Sequence, residues 1–355
     1  MSKSFVNTNP YPFAFTTGGP ITTSTSKAKA SPSGPITLTL PNTRGFTPSI
    51  PATRLRSLIH EAHEDPTKIL ALVCSYDGLS SKLCEEAGFP ALFLNGYAMA
   101  ASMGLPDTGY IAFQEVVSRL QEVVRVVDVP VIVDGDTGYG SPMNVRRTVE
   151  GFARAGAAGV MIEDQTWPKR CGHTQGKSVV PRPEAFARWQ AAVDARDSGV
   201  DIWILARTDA MIHGYDEALA RAREAIAIGV DCVFVEALPD RATMARLQSD
   251  LNFPLMANII EGGKTENLSA GELAGIGYSL VTYPWTLVAA KLRSVREALE
   301  GVKGGFLGGN GTGHKEILSY GEVCEGVGFG RYYELEEKYL FEGAVNGSKG
   351  FRFEK

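Results

Sequence analysis

A cysteine that follows two cations is the clearest chemical signal in this chain. Residues 168–173 are Pro-Lys-Arg-Cys-Gly-His, so the Cys171 thiol comes directly after Lys169 and Arg170. Nearby cations favour the thiolate, and the glycine that follows allows the backbone to approach a ligand closely. Cys171 could therefore act as a nucleophile or in proton transfer. Proton transfer is favoured, because the sequence shows no dedicated Cys–His–Asn or Cys–His–Asp arrangement and His173 lies only two positions away.

Carboxylates follow apolar, strand-like runs elsewhere in the chain. Asp134 and Asp136 come after the run at residues 129–133, and Glu163 follows the next run. Carboxylates at close quarters need a counter-charge to stay ionised. Their oxygens suit Mg²⁺, or alternatively Mn²⁺, because these hard cations keep some waters and take other ligands from a substrate. Arg207 could bind a substrate carboxylate through two parallel hydrogen bonds.

The elements that must position these residues alternate regularly from Arg54 onward. The eight predicted strands are residues 69–74, 91–94, 129–133, 159–162, 201–206, 232–235, 254–257 and 278–282. The predicted helices are residues 80–87, 113–127, 143–155, 183–195, 215–228, 241–251, 270–275 and 287–299. Continuous apolar strands that are each followed by a helix predict a closed parallel (β/α)8 barrel of the TIM type.

In such a barrel the residues that follow the strands meet at one face, where active sites lie. Polar side chains follow seven of the predicted strands, and they include Ser75, Asp77, Asn95, Tyr97, Asp134, Asp136, Glu163, Asp164, Arg207, Asp209, Glu236, Asn258 and Glu261. A solvated turn could explain any one of them. Together they predict a single polar site, with the long loop between Thr166 and Pro181 closing over it.

Composition divides the chain into three predicted parts. Residues 1–50 are rich in Ser, Thr, Pro and Gly, and no acidic residue precedes Glu61, so this part is predicted to be a disordered or loosely packed tail. Residues 51–300 form the predicted catalytic barrel. Residues 301–355 begin with a glycine-rich linker and are predicted to be an appendage that contacts another subunit.

Net charge, hydropathy and cysteine content limit the possible partners and the cellular location of the protein. A net charge of −5 argues against nucleic-acid binding, which requires a concentrated basic surface. No apolar run approaches the roughly 20 residues of a membrane span. Five cysteines without zinc or disulfide spacing favour a reducing, cytoplasmic location. The acid-poor tail keeps a mitochondrial location open.

Taken in order, the motifs resemble the isocitrate lyase/phosphoenolpyruvate mutase superfamily, in its short 2-methylisocitrate lyase-like and 2,3-dimethylmalate lyase-like branch. The resemblance covers roughly residues 55 to 300. The matching segments are 77–78 (Asp-Gly), 95–97 (Asn-Gly-Tyr) through 104–107, 134–140 (Asp-Gly-Asp-Thr-Gly-Tyr-Gly), 162–165, 169–173, 206–210, 236–237 and 258–265. It implies a homotetramer whose subunits exchange the last barrel helix. It also implies Mg²⁺ at Asp136, assisted by Asp134 and Glu163.

The resemblance implies a carbon–carbon lyase that acts on a small anionic carboxylate. Cleavage of a 2-hydroxy di- or tricarboxylate would give an α-keto acid such as pyruvate and a second carboxylate, with Cys171 protonating the released carbanion. The candidate catalytic residues are Glu163, Lys169, Arg170, Cys171, His173 and Arg207. The candidate substrate-binding residues are Asn95, Gly96, Tyr97, Asp107, Gly172, Glu236, Asn258, Thr265 and Pro284.

Some positions depart from the family pattern and keep alternatives open. Asn95 stands where relatives often carry serine, and Glu266 stands where proline is usual, close to an expected anion site. Oxaloacetate hydrolysis is the first alternative, but that relative is associated with a serine where this chain has Pro284. The others are a specialised-metabolite enzyme of the superfamily and a catalytically silent barrel that serves binding or assembly.

Overall fold

The computed structural model describes residues 44–172, 176–304 and 317–340. These residues divide into two units, with the boundary after Leu287. Residues 1–43 of the predicted tail and much of the predicted appendage lie outside the described residues, so those two assignments stay predictions. Residues 44–50 are described, and among them Thr47 forms a parallel bridge with Val200. No helix in the described ranges is long and apolar enough to cross a membrane.

Eight parallel strands form the centre of the first unit. They are β1 Leu70–Ser75, β2 Leu92–Leu94, β3 Val131–Asp134, β4 Gly159–Glu163, β5 Trp203–Thr208, β6 Cys232–Val235, β7 Met256–Asn258 and β8 Leu280–Tyr283. Their spatial order is β6-β5-β4-β3-β2-β1-β8-β7. A parallel bridge between Val233 and Leu255 joins β6 to the residue before β7 and completes the ring. The predicted TIM-type barrel is confirmed.

Helices surround the ring, and all but the first and the third of them correspond to helices predicted from sequence. They are α1 Ile50–Glu64, α2 Gly78–Glu86, α3 Gly96–Ser102, α4 Phe113–Val124, α5 Pro142–Ala155, α6 Arg182–Asp197, α7 Tyr215–Ile228, α8 Arg241–Leu251 and α9 Ala270–Ile276. α10 Thr286–Lys303 begins in the first unit and continues into the second, which also contains α11 Tyr320–Val327 and α12 Phe329–Lys338.

Helix α1 was not predicted, although it packs on the barrel. Ser49 begins it, because its hydroxyl accepts a hydrogen bond from the Ala52 N–H. Leu55 and Ile59 are buried in the same apolar cluster as strand residues such as Leu72. The helix also carries Arg56, a buried cation that interrupts the apolar stripe. That interruption weakens the amphipathic pattern by which a helix is identified from sequence.

Arg56 joins α1 to the barrel through buried ion pairs. Its Nη1 and Nη2 lie 2.7 and 2.6 Å from the two carboxylate oxygens of Asp201, and its Nε lies 3.0 Å from Asp231 Oδ1. Removing one partner of a buried pair leaves the other charge uncompensated. We expect Arg56→Met to lower the free energy of unfolding by about 3–5 kcal/mol, measured by urea denaturation.

A neighbouring arginine provides the matched control. Arg54 is exposed and donates to the Asp128 carbonyl, so Arg54→Met should change the free energy of unfolding by less than about 0.5 kcal/mol. Equal losses in the two variants would contradict the assigned importance of the Arg56–Asp201 pair.

Candidate active site

The carboxylates at the end of β3 lie close to Lys169. This lysine belongs to the loop between Thr166 and Pro181, the cysteine loop, which also carries Cys171. Lys169 Nζ is 2.5 Å from Asp107 Oδ1 and 2.6 Å from Asp136 Oδ1. Asp134 accepts hydrogen bonds from the backbone N–H groups of Gly96 and Asp136, both at 3.0 Å. A Cβ atom at Gly96 would lie 2.9 Å from Asp134 Oδ2, so a glycine is needed for this approach. Asp134 thereby orients Asp136.

Burial controls the protonation of this cluster. It raises the pKa of Asp136 to about 6, although the Lys169 ammonium opposes the rise. It also raises the pKa of Glu163 well above its usual range, against the opposing charge of Arg207. Burial by itself lowers the pKa of Lys169, but Asp136 and Asp107 outweigh it and hold that pKa well above the ordinary value. The cluster therefore keeps a cation beside Asp136.

A second charged group surrounds Arg207 at the end of β5. Its Nε lies 3.3 Å from Glu163 Oε2 and 3.0 Å from Asp209 Oδ2, and its Nη2 lies 3.1 Å from Glu236 Oε2. The predicted residues Glu163, Arg207 and Glu236 are thus brought together, and all three are buried. Arg207 is held in a fixed orientation from three sides.

The cysteine loop lies directly against this group. Gln165 binds the Arg170 backbone twice, donating to its carbonyl at 2.9 Å and accepting from its N–H at 3.0 Å. Cys171 is half-buried. Burial raises the pKa of Tyr97, and the nearby Cys171 adds to that rise when it ionises. The Arg170 side chain is exposed and passes close to Gly176. The predicted His173 lies outside the described residues.

Gly172 brings the loop backbone close to the charged group around Arg207. A Cβ atom there would lie 2.4 Å from Glu236 Oε2 and 2.6 Å from Arg207 Nη2. Gly172→Ala should therefore displace both the loop and Arg207. We expect kcat/KM to fall by about 10²-fold, because a displacement of roughly 1 Å in an active site can cost that much. Steady-state kinetics with the substrate found by the assay proposed below would measure it.

The control for this substitution is Gly271→Ala in α9, where no atom lies within 4 Å of the added Cβ. That variant should keep the parental kcat/KM. A Gly172→Ala protein with parental kcat/KM would show that the close approach is irrelevant to turnover.

The two departures from the family pattern have structural explanations. The amide oxygen of Asn95 accepts from the Ala98 N–H at 2.9 Å and caps α3. Glu266 Oε2 accepts from the Arg241 N–H at 2.8 Å, at the beginning of α8. Both side chains therefore satisfy backbone donors at helix ends. The partial positive charge at the N-terminus of α8 stabilises the negative charge of Glu266.

Two pockets open beside the charged groups. One, of about 270 Å³, is lined by Gly96, Asp107, Asp134, Asp136 and Tyr139 among others. The other, of about 210 Å³, includes Glu236, Asn258 and Thr265, beside apolar side chains such as those of Leu238 and Met256. Predicted residues thus line both pockets.

Other side chains at this face were missed or only partly predicted. Tyr139 lies inside the 134–140 motif but was not selected, and it adopts a positive φ of 61°. Burial and the nearby Asp136 raise its pKa well above the ordinary value, so its hydroxyl stays protonated. Tyr97 stacks on Trp285 with ring centroids 4.2 Å apart, just after the buried Pro284. The sequence signal that could have identified Tyr139 is its position between two glycines, Gly138 and Gly140.

The donor set fits a hard cation that keeps most of its waters. Within the described ranges, no three Asp, Glu, His or Cys side chains converge to enclose a metal. However, Asp136 Oδ1 already faces a cation, the Lys169 ammonium, and the buried Glu163 Oε1 accepts no hydrogen bond from the described residues. Mg²⁺ is commonly bound by one or two carboxylates with water completing its octahedron. Asp136, with Asp134 and Glu163 acting through water, meets that requirement.

Comparisons with known proteins identify the family. Residues 59–303 match the family described as phosphoenolpyruvate phosphomutase. The probable 2-methylisocitrate lyase 2 of Corynebacterium glutamicum is 39% identical over 255 residues, which cover 72% of this chain and 82% of that protein. The 2,3-dimethylmalate lyase of Eubacterium barkeri is 37% identical over 66% of this chain and 79% of its own length.

The solved structures that resemble this chain belong to the same superfamily as its lyase relatives. A crystal structure of 2,3-dimethylmalate lyase, a member of the same superfamily, has a TM-score of 0.74 and 32% identity, covering 84% of this chain and 99% of that chain. Oxaloacetate acetylhydrolase with 3,3-difluorooxalacetate also has a TM-score of 0.74, at 30% identity, covering 81% and 96%. The lyase relatives confirm the predicted enzyme class, a carbon–carbon lyase. The chain belongs to the phosphoenolpyruvate phosphomutase family, within the isocitrate lyase/phosphoenolpyruvate mutase superfamily.

Proposed function

We propose that the protein cleaves a carbon–carbon bond in a 2-hydroxy di- or tricarboxylate of the 2-methylisocitrate or 2-alkylmalate type. The products are an α-keto acid such as pyruvate and a second carboxylate. The main support is the joint placement of the Asp136–Lys169 cluster and the Arg207 group beneath the loop that carries Cys171. The lyase relatives supply the substrate class.

Mg²⁺, or Mn²⁺ in its place, would be held by Asp136, with Asp134 and Glu163 acting through water. When bound, it supplies Lewis-acid polarisation of the 2-hydroxyl group and the neighbouring carboxylate. Lys169 already lies beside Asp136 and Asp107. Its ammonium would compensate the carboxylates before substrate arrives and then stabilise the negative charge of the departing fragment.

Arg207 would bind the carboxylate of the α-keto acid fragment. The Gly96 N–H donates to Asp134, so the backbone donor proposed to assist Arg207 is the N–H of Tyr97. Asn258, Thr265 and Glu236 line the second pocket, where the other fragment would lie. Arg170, which is exposed, would assist that fragment only through its long-range charge.

Cys171 would complete the reaction by proton transfer. The 2-hydroxyl group would lose its proton to solvent and become the keto oxygen; as the carbon–carbon bond breaks, its electron pair stays on the departing fragment, and the thiol proton is transferred to that carbon. The resulting thiolate would be stabilised by the neighbouring Lys169 and Arg170 and would regain a proton from water after product release. His173, two positions after Cys171 in the sequence, stays a candidate catalytic residue.

Hydrolysis of oxaloacetate is the second candidate, and the similarity to the acetylhydrolase structure favours it. The buried Pro284 argues against it, because this chain lacks the serine hydroxyl associated with that relative.

We also propose a homotetramer with exchange of the last barrel helix, to be tested by light scattering. Its subunit contacts would involve residues 301–355.

A substrate panel tests the function. Purified protein with Mg²⁺ is given 2-methylisocitrate, several 2-alkylmalates and oxaloacetate, and both keto-acid release and oxalate formation are followed. Keto acid from a 2-hydroxy acid, abolished by EDTA and restored by Mg²⁺, supports the lyase. Oxalate from oxaloacetate alone supports the hydrolase. Binding without any turnover would support a silent barrel and contradict the proposal.

A further inference from the structure

Arg207 carries a single positive charge among three carboxylates. Glu163, Asp209 and Glu236 all lie within 3.3 Å of its guanidinium. Even with the pKa of Glu163 raised by burial, this group taken alone has no excess positive charge. An anionic substrate would then gain little from Arg207, because the internal carboxylates already occupy its donors. Another cation is needed if Arg207 is to bind a carboxylate.

Lys177 supplies that cation from the far arm of the cysteine loop. Its Nζ lies 2.6 Å from Asp209 Oδ1, and the two side chains are only 4% and 0% exposed. Asp209 Oδ2 faces Arg207 Nε at 3.0 Å. One carboxylate therefore lies between the lysine and the arginine. Lys177 was not among the site residues predicted from sequence.

The backbone of Asp209 is held independently of Lys177. Its N–H donates to Asp164 Oδ1 at 2.9 Å, and Asp164 Oδ2 pairs with Arg221 Nη1 at 3.0 Å. Removal of Lys177 should therefore leave Asp209 in place. Among the described residues, Arg207 would then be its only ion-pair partner. A buried carboxylate that has lost one cation interacts more strongly with the other.

We propose that Lys177 is a positioning residue, which satisfies Asp209 and so leaves part of the Arg207 guanidinium available to the substrate carboxylate. This inference rests on the proposed function, in which Arg207 binds that carboxylate. Arg207 also donates from Nη2 to Asp209 Oδ1 at 3.3 Å, the oxygen that faces Lys177. Without Lys177, Asp209 would shorten this two-point pair and draw the guanidinium away from Glu236. Because Lys177 belongs to the same loop as Cys171, its pairing links the seating of that loop to the orientation of Arg207.

The test uses the full chain and oxalate, a planar dianion that resembles the enolate of an α-keto acid. Calorimetry with Mg²⁺ present gives the oxalate Kd of the parent, Lys177→Met and Lys177→Arg, and steady-state kinetics gives kcat and KM. Lys177→Met should weaken oxalate binding about 10- to 100-fold, the usual range for one charge-assisted hydrogen bond. KM should rise similarly with a smaller change in kcat, since a contact made in both ground and transition states is affected.

Two further variants separate positioning from a purely structural role. Lys177→Arg should recover most of the affinity. The double variant Lys177→Met/Asp209→Asn removes both the cation and the charge it neutralises, so it should bind oxalate more tightly than Lys177→Met alone. If Lys177→Met does not fold, the oxalate Kd of the double variant is compared with that of the parent instead. Lys68→Met, which removes an exposed lysine paired with Glu61 and Asp65, should keep the parental Kd.

The outcomes distinguish this inference from the proposed function. A parent that turns over substrate while Lys177→Met binds oxalate with the parental Kd overturns the positioning role alone. A double variant that binds no better than the single variant also overturns it. A parent that neither turns over any substrate in the panel nor binds oxalate overturns the proposed function and this inference with it.

Discussion

Replacing Cys171 with serine is expected to reduce turnover by about 10²- to 10⁴-fold, the contribution typical of one acid or base group. A serine hydroxyl is a much weaker acid than a thiol, so it cannot deliver the proton at neutral pH. The loop should keep its position, because the backbone of Arg170 is held by Gln165 and Gly172 packs against the Arg207–Glu236 pair. Binding of pyruvate or oxalate should therefore stay at the parental level.

The experiment compares kcat with the Kd for oxalate in the same preparation. Cys84→Ser is the matched control, because Cys84 is buried in α2 and burial raises its pKa to about 11. That variant should keep parental turnover. A Cys171→Ser protein that cleaves substrate as fast as the parent would rule out proton donation by Cys171.

Replacing Asp136 with asparagine should abolish measurable Mg²⁺ binding and reduce turnover by about 10³-fold or more, since a metal ion can supply several kcal/mol of transition-state stabilisation. The substitution keeps the size of the side chain but removes the charge that faces Lys169. Isothermal titration with Mg²⁺ measures the first effect independently of catalysis. Electron paramagnetic resonance of bound Mn²⁺ gives a second measurement.

The same site should respond to pH in the parent. Because burial raises the pKa of Asp136 to about 6, protons compete with the metal below that pH and not above it. The apparent affinity for Mg²⁺ should therefore decline as the pH falls below about 6.

Asp128→Asn is the control for this prediction, because Asp128 is exposed just before β3. It should bind Mg²⁺ as the parent does. If Asp136→Asn binds Mg²⁺ with the parental Kd, the metal is held elsewhere.

The barrel could be predicted from sequence because its signal is local and repeated. Each predicted strand is a continuous apolar run, and the observed β4 and β6 differ from the prediction by one residue or none. The observed strand bounds differ more from the predicted ones where a strand has polar residues at its carboxyl end. β5 Trp203–Thr208 extends through Arg207, and β7 Met256–Asn258 ends at a polar residue. Those side chains were identified as site candidates, but they belong to the strands themselves.

Short or irregular elements could not be predicted from periodicity. The seven-residue α3 Gly96–Ser102 begins immediately at the presumed carboxylate pocket, with Asn95 as its cap. From sequence, Asn95 was predicted only as a substrate-binding residue, because the short helix that it caps was not predicted. Only the hydrogen bond to the Ala98 N–H assigns its oxygen to α3.

The sequence by itself determined the fold class, the family and the polar strand ends that meet at one face, because strand order in a barrel follows chain order. The tertiary structure decided which charges pair. The loop pairs Lys169 with Asp107 and Asp136, and Lys177 with Asp209, all of which are distant from the lysines in sequence. No local periodicity encodes such distances. They depend on how the loop packs and on how buried charges find partners, since an unpaired buried charge is costly.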